Sequence, residues 1–201
     1  MCSFNKKFFG EKYEYTKKDE PIVATEVGQH QMWTAQNFKF NKPRKLITSG
    51  GLGTMGFGFP AALGAACAMK QGYILNIAGD GSIQMNIQEL MTCVDYKFKV
   101  INCIINNGHL GMVRQWQEKI YNKHYSQTKI SSPDFVKLAS SYGALGLRVE
   151  REEEIIPALE QAIKFDGPVL IDFICENFEM VYPWVLAGQP IDKVLLSREE
   201  C

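Results

Sequence analysis

The stretch that decides the fold is Tyr73-Ile-Leu-Asn-Ile-Ala-Gly-Asp-Gly-Ser82, an apolar run that ends on a carboxylate between two glycines. A second apolar run that ends on polar residues, Val100-Ile-Asn-Cys-Ile-Ile-Asn-Asn107, follows it along the chain. Strands that are buried on both faces of a parallel sheet read as continuous apolar runs. The interval from Asp80 to Asn107 is about the length of one helix plus one strand. The two runs therefore predict neighbouring parallel strands with polar tips.

Similar apolar runs alternate with segments of helical periodicity over the rest of the chain. The strand candidates are Ile22–Thr25, Lys45–Thr48, Tyr73–Ala78, Val100–Ile105, Gly146–Val149 and Val169–Ile174. The helix candidates are Pro60–Met69, Ile87–Tyr96, Pro133–Tyr142 and Glu152–Phe165, with Ser132 or Pro133 starting the third. Because a parallel connection needs a covering helix, this alternation predicts an α/β fold. The expected architecture is a doubly wound, mostly parallel six-stranded sheet with helices on both faces.

The composition excludes several classes of protein. With 22 Lys+Arg against 22 Asp+Glu, the formal net charge is zero, which gives no electrostatic case for nucleic acid or an anionic membrane. No apolar run approaches the roughly 20 residues that span a bilayer, and the opening residues lack the apolar core of a signal peptide. We therefore expect an intracellular, soluble protein. The six cysteines are scattered singly, so we expect reduced thiols rather than disulfides or a zinc site.

The loops after the strands are where an α/β sheet binds ligands, and here they carry the polar residues. These loops span residues 26–31, 49–56, 79–82 and 106–111. Asp80 and Asn107 would present a carboxylate and an amide oxygen at adjacent strand tips, a donor set that Mg²⁺ completes with phosphate oxygens and water. Main-chain N–H groups of Gly81 and Ser82, at the start of a helix, would add donors for phosphate. The sequence thus predicts a site for a magnesium-bound diphosphate or triphosphate.

Two other interpretations of these loops remain open from the residues. The Asp-Gly and Asn-Gly pairs could be structural turns. Gly51-x-Gly53-x-x-Gly56 follows a strand and precedes a helix, as in the dinucleotide-binding fingerprint, and Asp80 could then bind a ribose. That interpretation leaves Gly81, Ser82 and the Asn106-Asn107 pair without a role.

The combination Gly79-Asp80-Gly81 with Asn106-Asn107 resembles the thiamin diphosphate signature. Neighbouring motifs narrow the resemblance to the catalytic subunit of acetolactate synthase (acetohydroxyacid synthase), and specifically to its C-terminal thiamin diphosphate-binding domain. These motifs are Val27-Gly-Gln-His-Gln-Met-Trp33, Ile47-Thr-Ser-Gly-Gly-Leu-Gly-Thr-Met-Gly-Phe-Gly58, Met85-Asn-Ile-Gln-Glu-Leu90 and Leu110-Gly-Met-Val-Arg-Gln-Trp-Gln117. The family decarboxylates pyruvate and condenses it with a second 2-oxoacid, in branched-chain amino acid biosynthesis.

The resemblance assigns roles to individual residues. It implies Mg²⁺ ligation by Asp80, Asn107 and the main-chain carbonyl of His109. Gly53 matches the position whose carbonyl accepts a hydrogen bond from the cofactor's 4′-amino group, and Met55 matches the apolar wedge between its two rings. Met112 and Trp116, one helical turn apart, correspond to substrate-channel positions, Met112 also beside the cofactor. The remaining implied cofactor contacts are Gly28, Gln29, His30, Gly79, Gly81 and Ser82. Glu26 stands where the family usually has an aspartate.

The resemblance runs from about residue 21 to residue 190, which we expect to form one domain, with 1–20 unmatched and 191–201 a tail. It covers the diphosphate-binding domain only. The family's activating glutamate comes from a separate domain, normally that of a partner subunit, so we expect an oligomer or a partner chain and little activity from these residues alone. FAD is possible in the full-length family but is not expected to be held here. Alternatives are a non-catalytic remnant, a partner-binding domain, or one subunit of a split 2-oxoacid decarboxylase. Relatives lie in the cytoplasm of bacteria or in plastids or mitochondria of eukaryotes.

Overall fold

A computed structural model describes residues 21–69 and 72–197. The predicted N-terminal segment 1–20, as well as Cys2 and Cys201, lies outside the described residues. Eight strands occur in this part of the chain: β1 (Ile22–Thr25), β2 (Leu46–Thr48), β3 (Ile74–Gly79), β4 (Val100–Asn106), β5 (Leu145–Val149), β6 (Val169–Ile174), β7 (Trp184–Val185) and β8 (Val194–Leu195). The helices are α1 (Gln29–Asn37), α2 (Gly58–Ala68), α3 (Asp80–Ile83), α4 (Glu89–Asp95), α5 (Gly111–Lys119), α6 (Phe135–Tyr142) and α7 (Ile155–Lys164). Short 3₁₀ turns cover Gln84–Asn86 and Glu152–Glu154.

Six strands form one sheet in the order β2-β1-β3-β4-β6-β5, and every pairing in it is parallel. The prediction of a six-stranded α/β sheet is confirmed, and each predicted strand occurs with its ends shifted by no more than one residue. The chain runs outward in both directions from the centre of the sheet, which is the doubly wound arrangement. β7 and β8 form a separate antiparallel hairpin that joins the end of the predicted domain to the predicted tail.

Apolar layers cover both faces of the sheet, because successive side chains of a strand point to opposite sides. On one face, Leu75 and Ile77 pack with Trp33 of α1 and Leu159 of α7. On the other face, the strands pack against α2, α4 and α6 through residues such as Phe59, Leu90, Cys93 and Phe135. Burying these layers supplies the main driving force for folding. No helix in the described parts of the chain is both long and apolar enough to cross a bilayer.

Two sequence predictions about helices are wrong. The sequence predicts a loop over residues 26–31, but α1 begins at Gln29 within that stretch. Neither Ser132 nor Pro133 starts α6, because Asp134 is its N-cap and accepts hydrogen bonds from the main-chain N–H groups of Val136 and Lys137 at 3.1 and 3.3 Å. A carboxylate in this position satisfies helix N–H groups that have no intrahelical partner. Ser132 is thereby left to make a different contact, described below.

Candidate functional site

The tips of β3 and β4 meet at the carboxyl edge of the sheet. Gly79 pairs with Ile105 in the ladder, so Asp80 and Asn107 follow directly on neighbouring strands. Gly108 N–H donates a hydrogen bond of 3.1 Å to Oδ2 of Asp80, which ties the two loops together. Both side chains are buried. The structure thus brings the two residues that the sequence singled out into one place.

Asp80 is a buried carboxylate whose oxygen Oδ2 accepts two hydrogen bonds. In addition to Gly108 N–H, the hydroxyl of Ser132 donates to it at 3.2 Å. Burial raises the pKa of Asp80, and the hydrogen bonds from Ser132 and from the main chain oppose that rise. The sequence pattern indicates Ser132 only as a possible helix start, so its contact with Asp80 could not be predicted from it.

In the loop after β4, the main-chain N–H of His109 bonds to the side chain of Asn107. His109 pairs with Lys129 in an antiparallel bridge, and the hydrogen bonds of that bridge are made by the residues on either side of His109. In such a pair, the N–H and C=O groups of the middle residue point away from the partner strand. The N–H of His109 accordingly donates to Oδ1 of Asn107 at 3.0 Å. By the same bridge geometry, the carbonyl of His109, which the resemblance implies as a metal ligand, is expected to point away from Lys129.

Helix α1 begins with two buried polar side chains, Gln29 and His30. Gly28 precedes them at φ 152°, and a Cβ added there would overlap the His30 ring. The carbonyl oxygen Oε1 of Gln29 accepts from Nδ2 of Asn107 at 3.2 Å. Its Nε2 donates to Oε1 of Gln115 at 3.0 Å and to the carbonyl of Glu179 at 2.9 Å. With both amide hydrogens engaged by protein groups, Gln29 can offer its main-chain N–H to a phosphate but has no spare side-chain donor.

A buried glutamate, Glu26, connects the start of α2 to the loop after β3. Oε2 of Glu26 accepts the N–H of Gly58 at the start of α2 at 2.6 Å, and Oε1 accepts the hydroxyl of Ser82 at 2.5 Å. Nε2 of His30 lies 3.4 Å from Oε1 of Glu26 and makes no hydrogen bond. A Cβ on Gly58 would overlap the Glu26 carboxylate, so only glycine fits there. From the sequence, Glu26 stands out only as a departure from the family pattern, and its partners are visible only in the fold.

A cavity of about 150 Å³ opens beside these loops. Its polar side is formed by Gly28, His30, Gly79, Asp80, Gly81 and Ser82, among others, and its apolar side includes Met55, Met112 and Trp116. Of the predicted site residues, Gly53 and Asn107 are not among those that line it. Gly53 lies in the loop between β2 and α2 at φ 65°. A Cβ on Gly81 would lie 3.2 Å from Cε of Met55 and 2.9 Å from Cδ1 of Ile130, so the ends of these side chains pack directly against the Gly81 main chain.

The sheet order argues against the dinucleotide interpretation. The loop with Gly51, Gly53 and Gly56 follows β2 at the edge, and β1 separates β2 from the strand that carries Asp80. In the dinucleotide fold, the glycine loop and the ribose-binding acid follow adjacent strands. Asp80 moreover faces Gly108 and Ser132 instead of that loop.

An α/β domain that gathers a carboxylate, amides and main-chain groups beside a cavity at the carboxyl ends of its strands belongs to the class that binds phosphorylated ligands at that edge. Residues 26–173 match the family described as thiamine pyrophosphate enzyme, C-terminal TPP binding domain. The chain belongs to this family. It is therefore a TPP-binding domain of the kind found in acetolactate synthase-like enzymes.

Individual relatives agree with this assignment. The chain is 45% identical to the acetolactate synthase large subunit of Haemophilus influenzae over 185 residues, which is 91% of this chain and 32% of that protein. It is 47% identical to acetolactate synthase of Mycobacterium bovis over 89% of this chain and 30% of that protein. For the mitochondrial acetolactate synthase of Schizosaccharomyces pombe, the identity is 42% over 90% of this chain and 27% of that protein. The chain thus spans about a third of the length of these relatives.

Proposed function

We propose that this chain binds thiamin diphosphate through Mg²⁺, as the diphosphate-binding domain of an acetolactate synthase-type carboligase. The observation that carries the proposal is the convergence of Asp80, Asn107 and the His109 main chain on neighbouring loops. The family match to a TPP-binding domain supports the choice of cofactor. The reaction is the decarboxylation of pyruvate and its condensation with a second 2-oxoacid.

The donor set fits a magnesium ion. A carboxylate, an amide oxygen and a main-chain carbonyl are hard oxygen ligands, and Mg²⁺ bound to few protein ligands completes its shell with phosphate and water. A divalent cation would also offset the cost of ionising Asp80 in a buried place, since burial raises its pKa. We therefore assign Asp80, the side chain of Asn107 and the carbonyl of His109 to the metal.

The surrounding loops fit the rest of the cofactor. Gly81 and Ser82 line the cavity and offer main-chain N–H groups to the diphosphate. Gly28 and Gly79 also line it, and their lack of a side chain lets the His30 ring lie against their main chain. Because the Ser82 hydroxyl already donates to Glu26, we assign its contact to the N–H. Met55, on the apolar side of the cavity, supplies the wedge for the rings, and Gly53 the carbonyl for the 4′-amino group. The bound cofactor supplies stabilisation of the carbanion that decarboxylation creates.

Met112 and Trp116 lie on α5 at i and i+4 and line the apolar side of the cavity. We assign them to the path that the 2-oxoacid takes. The activating glutamate would come from a second domain, in an oligomer or a partner subunit. The 201 residues alone should therefore bind the cofactor without forming acetolactate.

Calorimetry with thiamin diphosphate, with and without Mg²⁺, tests the proposal directly. The unaltered chain should bind only when Mg²⁺ is present, and Asp80→Ala should abolish binding because it removes a metal ligand. Asp95→Ala, at an exposed position on α4, is the matched control and should bind normally. Equal affinity in Asp80→Ala and Asp95→Ala would refute the assigned site. Acetolactate formation by the chain alone would contradict the inactivity that we propose.

A further inference from the structure

Three buried amide side chains form a continuous chain of hydrogen bonds from the site to residues 179–181, which we call the C-terminal segment. Asn107 donates to Gln29, and Gln29 donates to Gln115 on α5. Gln115 in turn makes a reciprocal pair with the main chain of Val181. We call Asn107, Gln29 and Gln115 the amide relay. All three are more than nine-tenths buried, so water does not replace these bonds.

The main chain fixes the direction of every bond in the amide relay. An amide side chain can in principle be turned to exchange its oxygen and nitrogen, but a main-chain N–H can only donate and a C=O can only accept. The N–H of Val181 donates to Oε1 of Gln115 at 2.9 Å, and Nε2 of Gln115 donates to the carbonyl of Val181 at 3.1 Å. Gln115 therefore has one orientation.

The orientation of Gln115 determines that of the next two amides. Oε1 of Gln115 and the carbonyl of Glu179 are both acceptors, so the group of Gln29 that faces them must be its NH₂. Oε1 of Gln29 then faces Asn107 and can only accept from Nδ2 of that residue. The oxygen Oδ1 of Asn107 is then directed to the other side, where the N–H of His109, which can only donate, favours the same orientation.

We infer that Gln115 is a positioning residue that acts through Gln29 to direct the Asn107 oxygen toward the metal. The inference rests on the proposed function, because it assumes that Asn107 is a Mg²⁺ ligand. An inverted Asn107 would present NH₂ to the cation, and NH₂ cannot ligate. Inverting any amide of the relay leaves buried donors or acceptors without partners, which is unfavourable because these groups have no access to water. The relay also makes the affinity for the metal depend on residues 179–181, which lie far along the chain.

Two substitutions of Gln115 separate positioning from stability. Gln115→Met removes the acceptor that holds Gln29, and we expect the affinity for Mg²⁺ at saturating thiamin diphosphate to fall about tenfold, the usual scale for residues behind a metal ligand. Gln115→Glu retains an oxygen that accepts from both Val181 N–H and Gln29. It should recover most of the affinity, even though its second oxygen faces the Val181 carbonyl and lowers the melting temperature.

Gln117→Met is the matched control on the same helix. Gln117 makes the same kind of reciprocal pair, with the main chain of Ser126, but has no bond to Gln29. The Gln117→Met substitution should lower the melting temperature without changing the affinity for Mg²⁺. Circular dichroism spectra of each variant without ligand establish that it is folded, and calorimetric Mg²⁺ titrations give the affinities.

The outcomes distinguish the inference from the proposed function. If Asp80→Ala abolishes Mg²⁺-dependent binding but Gln115→Met binds Mg²⁺ as the unaltered chain does, the relay is refuted and the site stands. An equal loss of affinity in Gln115→Met and Gln115→Glu, or a similar loss in Gln117→Met, would show a general structural effect and would also refute the relay. If the unaltered chain does not bind Mg²⁺ and thiamin diphosphate, the proposed function fails and the inference fails with it.

Discussion

Replacing Gly111 by alanine should destabilise the protein, although glycine to alanine at a helix position usually does the reverse. Gly111 is the first residue of α5. A Cβ built on it would overlap Oε1 of Gln29 and would lie 2.8 Å from Nδ2 of Asn107. The added methyl group would therefore occupy the space of the hydrogen bond that joins those two side chains.

The magnitude follows from two costs. Leaving the buried amide groups of Gln29 and Asn107 without partners costs about 1–3 kcal/mol. Forcing a methyl group into a filled region costs typically about 1–3 kcal/mol. The lower entropy of the unfolded alanine variant offsets about 0.4–1 kcal/mol. We expect a net loss of about 3 kcal/mol, which for a domain of this size lowers the melting temperature by about 6–12 °C.

Gly64→Ala is the matched control. Gly64 is exposed within α2, and nothing lies within 4 Å of a Cβ added there. Because alanine is the better helix former by roughly 0.5–1 kcal/mol, this substitution should raise the melting temperature. Thermal unfolding followed by circular dichroism, with urea unfolding as a second measure, compares the two variants without any ligand. A melting temperature of Gly111→Ala at or above that of the unaltered chain would refute the packing described around Gln29.

Two further predictions concern titratable groups away from the cavity. Burial raises the pKa of Asp172, against the hydrogen bond from Asn106 and the attraction of Arg148. The folded state then binds the proton more tightly than the unfolded state. Stability relative to Asp172→Asn should accordingly fall as pH rises from 3.8 through the raised pKa, and a difference that rises with pH would contradict this. Burial raises the pKa of Cys93 to about 12, so little of its reactive thiolate forms at pH 8. An alkylating reagent at that pH should therefore label the exposed Cys67 well before Cys93, and peptide mass spectrometry measures the two rates. Equal labelling rates would show that Cys93 is reachable.

The sheet could be predicted because its strands are buried on both faces and leave continuous apolar runs in the sequence. Helix α1 could not, because its buried side is mostly polar, with Trp33 as its one apolar buried residue. Its buried residues include Gln29, His30 and Thr34, so the apolar period of a surface helix is missing. The hairpin of β7 and β8 has strands of two residues each, too short to leave any period. Patterns of hydrophobicity therefore located the core well and the polar edge poorly.

The contacts of the candidate site also include some that the sequence predicts and some that it does not. The meeting of Asp80 with the loop that carries Asn107 follows from strand adjacency, which the spacing of the two apolar runs predicts. The partners that orient these groups do not follow from any spacing. Gln115 lies 86 residues from Gln29, and glutamine in an amphipathic helix ordinarily faces solvent. Only the folded chain shows that Gln115 is buried against the main chain of Val181.

The polar groups at the edge of the sheet hold one another in place before any ligand arrives. Glu26 connects the start of α2 to Ser82, Asp80 connects Gly108 to Ser132, and the amide relay connects α1 to the C-terminal segment. Each of these contacts joins a different pair of loops, so together they fix the shape of the edge at little entropic cost to binding. The unfavourable step is instead the burial of these polar groups during folding. Burial of the apolar layers on both faces of the sheet supplies the free energy that compensates for it. A chain built in this way should hold its ligand groups in nearly the same positions with and without cofactor.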